Sequence, residues 1–180
     1  MNPTFTSRLS LAGVLLATLG LPTAAPAQYR LPVLVSSAKA DSLHQAAVAL
    51  TAAHRWGEAA RLHHRSAELR APDDPLGFTC FTEAAALAYA TGDRSSARED
   101  MADAASQALT RGDLRASALA YLDAAWIAQE QRNPRQVWEL GHRAEILAAS
   151  PLLAESDREA ILRRISRAPD AVQTAMRINR

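Results

Sequence analysis

The sequence predicts an all-α protein: a short stack of about three antiparallel helix hairpins closed by a C-terminal capping helix. Three observations point there. Apolar side chains recur at steps of three and four, as at Leu114, Ala118, Tyr121, Ala125 and Ala128, and again at Ala97, Met101, Ala104 and Ala108. Helix punctuation recurs between these runs, with Asp74-Pro75, Asn133-Pro134 and Ser150-Pro151 as cap-then-proline starts, and Gly92-Asp93 and Gly112-Asp113 as joints. Past Ser37, no stretch alternates apolar and polar residues as a strand does.

The 180 residues are 48% hydrophobic, 22% charged and 5% aromatic, which suits one domain with one core. There are 40 alanines, and Lys39 is the only lysine. A net charge of +1 is no electrostatic footprint for nucleic acid. The single cysteine, Cys80, excludes an intramolecular disulfide and a cysteine-based zinc cage.

In chain order, residues 1–27 read as a cleavable secretory signal. Arg8 lies in a positive leader, residues 9–21 form an apolar run too short to span a bilayer, and Pro22 ends it. Ala25 and Ala27 supply the small residues of a cleavage site, with the cut after Ala27. The expected location is therefore secreted or periplasmic, with no stable membrane span after cleavage. Residues 28–40 read as an extended, proline-containing leader. Seven helices follow, over 38–53, 57–70, 75–90, 94–110, 113–131, 134–149 and 156–167, the last opened by a capping box at Ser156 and Glu159. Short loops pair them as hairpins over about 41–72, 75–110 and 113–149. Residues 150–167 form the capping helix and 168–180 a tail.

The hairpins are copies of one pattern. Ala60, Ala97 and Val137 each follow a turn, a second core residue stands four on at His64, Met101 and Gly141, and alanine recurs seven on at Ala67, Ala104 and Ala144. In the first helix of each pair, small residues fall where two helices approach closely: Ala47-Val48, Ala84-Ala85 and Ala124-Ala125. With Phe81 and Tyr121 as the bulky residues near that helix start, and Pro72 closing the first copy, the chain resembles the tetratricopeptide repeat family.

That resemblance implies a right-handed stack whose first helices line a concave groove. It carries the groove onto Gln45 in the first copy, onto Thr82, Glu83 and Tyr89 in the second, and onto Leu122, Asp123, Trp126, Gln129 and Glu130 in the third. Tyr89 and Trp126 have the character of partner anchors, and the acids make the face mildly acidic. The expected function is a non-enzymatic module that binds a protein or peptide. Two alternatives remain: a small-ligand-binding or hydrolytic protein with a pocket near Trp126, and a purely structural accessory subunit.

No catalytic or cofactor motif stands out. Gly-x-Ser-x-Gly, Ser-x-x-Lys, the P-loop and the dinucleotide fingerprint are all absent. His63 and His64 are adjacent and point about 100° apart, one towards the core edge and one towards solvent, so no metal site is expected. Cys80, between Thr79 and Phe81, reads as a buried, inert thiol. Glu99, Asp100 and Asp103 read as a solvated helix face. The arginine-rich segment after Arg158 is a solvated helix end or a contact for an acidic partner.

Overall fold

The computed structural model describes the backbone of residues 27–166 and the side chains of residues 36–166. Over this range the chain is all-α, with seven helices: α1 (Ala27–Ala52), α2 (Trp56–Glu68), α3 (Pro75–Ala90), α4 (Arg94–Thr110), α5 (Leu114–Glu130), α6 (Pro134–Ala148) and α7 (Glu155–Ser166). Each packs on the next in sequence, and α7 rests on both α5 and α6. The arrangement is a solenoid-like stack of helical hairpins. The expected signal segment and the 168–180 tail lie outside the described residues, apart from Ala27, which starts α1.

Local chemistry sets the boundaries. Asp74, Asp93, Asp113 and Asn133 each accept a bond from a backbone amide at the start of the next helix, at 2.9, 3.1, 2.9 and 3.2 Å. The turns inside the three hairpins share one device. His54, Gly92 and Arg132 adopt left-handed φ values of 58°, 88° and 54°. Paired bonds flank each, such as Gly92 N to Tyr89 O at 3.1 Å and Asp93 N to Ala88 O at 2.9 Å, the pattern of a Schellman C-cap.

Two expectations need correction. The leader expected to be extended belongs to helix α1 from Ala27 onward. No glycine lies between Ala27 and Ala52 to end the helix, although Pro32, which has no backbone N–H, leaves it one ladder bond short. Ser36 ties this segment to the stack by donating to Leu69 O at 2.6 Å. Helix α7 begins at Glu155 and not at Pro151: Ser150-Pro151 opens a turn instead of a helix, and Ser156 falls inside the first turn of α7 instead of at its cap.

The core is an alanine seam. Ala84, Ala85, Ala124 and Ala125 are buried, as are Ala97, Ala104, Ala118 and Ala144. Small side chains let helix axes approach to the near end of the usual 8–10 Å range. The largest cluster joins α5, α6 and α7 through Tyr121, Leu122, Val137, Leu140, Leu153 and Ile161.

The turns also fix the register between copies. Counting from His54, Gly92 and Arg132, the equivalent positions are Ala59, Ala97 and Val137, then His63, Met101 and Gly141, then Ser66, Ala104 and Ala144, all buried except the half-buried Met101. The first copy is thus shifted by one residue from the sequence alignment. His63, not His64, takes the core position, and it is 2% exposed.

Candidate functional site

Helices α3 and α5 bring Tyr89 and Trp126 together, with ring centres 5.7 Å apart and planes tilted by 31°. The rings are held from one side by charge. The Arg94 guanidinium carbon lies 3.6 Å from the Tyr89 ring centre, a cation–π contact. Arg94 Nε donates to Glu130 Oε2 at 3.0 Å, and Tyr89 Oη donates to Glu130 Oε1 at 2.8 Å. The bond to Glu130 raises the Tyr89 phenol above its ordinary pKa. Arg94 Nη1 also donates to the Tyr89 carbonyl.

Trp126 is nonetheless 43% exposed. Its equivalents one and two copies earlier are Ala86 and Val48, both exposed, Val48 at 49%. One apolar row therefore crosses the first helices of three successive hairpins.

The other expected groove residues divide. Gln45 is exposed on α1, and Gln129 is half-buried on the last turn of α5. Thr82, which donates to Thr79 O at 2.9 Å, shares a cleft of about 480 Å³ with Asp123, Phe78 and Met101. Asp123 is paired with Arg164 of α7. Burial raises its carboxyl pKa, against the lowering effect of Arg164. Leu122 is not a groove residue: it is 6% exposed and packed in the α5–α7 cluster. It stands one turn before Trp126, where α7 covers the helix. The expected acidity of the face is also muted, because Glu130 is paired with Arg94, Asp123 with Arg164, and Glu83 with a histidine.

Glu83 belongs to a second constellation that the sequence reading did not anticipate. At the junction of α1, α2 and α3, one donor atom from each of His44, His63 and Cys80 lies within 4.8 Å of the other two. His44 Nδ1 is 3.5 Å from Cys80 Sγ. Glu83 Oε2 is 3.0 Å from His63 Nδ1 and 3.9 Å from His44 Nδ1. Burial lowers the His63 pKa below its ordinary value, with Glu83 opposing and His44 assisting. Cys80 is buried as expected, but its surroundings are not purely apolar: it donates to Ser66 Oγ at 3.6 Å.

A cleft of about 490 Å³ opens between α2 and α4, lined by Arg61, His64, Asp93, Glu99, Asp100 and Asp103 among others. Asp100 is not on a solvated face. It is 4% exposed and accepts a 2.6 Å bond from His64 Nδ1. Trp126 lines neither cleft, so the expected pocket beside it is not one of these two. No helix among the described residues is long and apolar enough to cross a membrane. Compared with known proteins, the chain matches no family model, no curated protein and no solved structure.

Proposed function

We propose that the chain is a non-enzymatic interaction module that anchors an extended, apolar peptide segment of a protein partner on Trp126 and Tyr89. The observation that carries this is the 43% exposure of Trp126 on a ring pair braced by Arg94 and Glu130. Tryptophan, tyrosine and arginine are the residues on which binding energy concentrates. A braced ring loses little freedom on binding, so less of the contact energy is spent on ordering. The row of Val48, Ala86 and Trp126 suits a peptide lying across the hairpins. Because the acids of this face are already paired, the occupant is recognised by apolar side chains more than by charge.

The same reading takes the hairpins as degenerate tetratricopeptide-type copies, on the strength of the shared turn and the three-position core register. It takes the protein as secreted or periplasmic, on the strength of the charged leader, apolar run and Ala25-x-Ala27 site in the sequence.

The test is selection of a displayed random-peptide library on the full chain. Enriched peptides should share an apolar motif and should lose binding to the Trp126→Ala and Tyr89→Ala proteins. Enrichment that is indifferent to both substitutions, or no enrichment at all, overturns the proposal.

A further inference from the structure

The junction of α1, α2 and α3 carries an arrangement that peptide binding does not use. We propose that His44, His63 and Cys80 form a three-ligand metal site whose ion is zinc(II), with the Glu83 carboxylate beside the two imidazoles.

The distances fit a common centre. Zinc binds imidazole nitrogen at about 2.0–2.1 Å and thiolate at about 2.3 Å, so tetrahedral angles put nitrogen and sulfur about 3.6 Å apart. His44 Nδ1 and Cys80 Sγ are separated by 3.5 Å. Glu83 Oε2, at 3.0 and 3.9 Å from the two Nδ1 atoms, stands against the imidazoles and outside the group of three whose donors all lie within 4.8 Å of one another. One thiolate and two imidazoles are donors that zinc accepts together, with its fourth position left open.

A second observation is independent of these separations. His63 Nδ1 and Glu83 Oε2 are buried atoms that make no hydrogen bond, although they lie only 3.0 Å apart. Buried polar atoms are nearly always satisfied. Two that approach without alignment fit an imidazole turned to a third centre, with the carboxylate beside it. The His63 side chain, 2% exposed, thus meets Glu83 at ion-pair distance without an aligned hydrogen bond.

The site is also not a requirement of the stack. At the positions equivalent to His63, the second and third copies carry Met101 and Gly141. At those equivalent to His44 they carry Thr82 and Leu122. Ser66 replaces the alanines Ala104 and Ala144, and it donates to Ala40 O at 2.7 Å beside Cys80. The two histidines and the serine gather at one junction, where a metal would join three helices and where the other copies carry no zinc-binding side chain at these positions. Binding requires the Cys80 thiol to give up its proton to solvent, and the ion takes the place of that proton.

The experiment titrates zinc(II) into the full metal-free chain against a chromophoric chelator, with cobalt(II) as a spectroscopic substitute. We expect one ion per chain, with an intense tetrahedral cobalt spectrum and a thiolate-to-cobalt band. Cys80→Ser should abolish that band. His44→Gln, at a half-buried position, removes a ligand and should weaken zinc binding by at least about 100-fold, the upper end of what loss of a mere supporting partner costs. Glu83→Gln should weaken it less, and His142→Gln on α6 should leave it unchanged. Circular dichroism confirms that each variant is folded, and zinc should raise the melting temperature of the wild type but not of Cys80→Ser. No stoichiometric binding, or binding that survives both Cys80→Ser and His44→Gln, overturns the site. Tight copper(I) binding without zinc binding overturns the assignment of the ion.

Discussion

Arg94 and Tyr89 are bound to each other twice, once through the guanidinium over the phenol ring at 3.6 Å and once through the Tyr89 carbonyl. Trp126 lies against Tyr89 with its plane tilted by 31°, and Glu130 is bonded to both Arg94 and Tyr89. Arg94→Ala therefore removes the brace and leaves both rings in place. Peptide binding should weaken by about 5- to 30-fold, corresponding to about 1–2 kcal/mol. Trp126→Ala should abolish binding and cost less than the 3–5 kcal/mol of a core tryptophan. Denaturant titration beside the binding measurement separates these effects. A loss of stability in the core range for Trp126→Ala would show that the ring is structural.

Ala125 is fully buried where α5 meets its neighbours. Enlarging it to leucine has no empty space to fill. Ala125→Leu should destabilise the fold by about 1–3 kcal/mol through overpacking. An unchanged denaturation midpoint would mean that the helices do not approach closely there.

The helix boundaries were legible because their signals are local. A capping carboxylate or amide, a proline or a glycine acts within a few residues, and Asp74, Asp93, Asp113 and Asn133 all cap as the sequence implies. Tyr89 and Trp126 were legible as separate exposed anchors through the resemblance to the repeat family, which puts both on the groove face of first helices. Their contact with each other arises only in the packed stack. The first copy was misread by one residue because its turn carries no glycine. His54 takes the left-handed conformation there, and Arg55 offers no side-chain cap. That slip put His64 in the core position and concealed His63. The cluster of His44, His63 and Cys80 forms no motif, since its members come from three helices and meet only when α1, α2 and α3 pack. Leu122 was misplaced for a related reason: α7 covers one turn of α5 and leaves the next open.

Arg132 adopts a φ of 54° at a position where Gly92 serves in the preceding copy. A left-handed conformation costs a non-glycine residue roughly 1–2 kcal/mol, and glycine's greater freedom in the unfolded chain returns about 0.5–1 kcal/mol of that. Arg132→Gly should therefore stabilise the protein by about 0.5–1 kcal/mol. His54→Gly should gain less, because the His54 ring also packs edge-on against Trp56 at 6.0 Å. Urea midpoints at constant slope measure both. A destabilised Arg132→Gly protein would show that the arginine side chain contributes more than its backbone costs.

Asp123 offers a pH test of how α7 is held. Its carboxyl pKa is raised because burial outweighs the attraction of Arg164. A raised folded pKa means that the folded state binds the proton more readily than the unfolded one. Stability from this group therefore rises as pH falls through the folded pKa towards the ordinary carboxyl value near 4, and is absent at neutral pH. Asp123→Asn removes the buried charge and should be neutral or stabilising by up to about 1 kcal/mol at pH 7, since a partly exposed pair contributes little. The difference from wild type should vanish below about pH 4, where both side chains are uncharged. Arg164→Ala should weaken the wild type at pH 7 and leave the Asp123→Asn protein unaffected, which a double-mutant cycle resolves. If Asp123→Asn instead loses more than about 1 kcal/mol at pH 7, the ion pair outweighs its burial and α7 is fastened by charge in addition to Ile161.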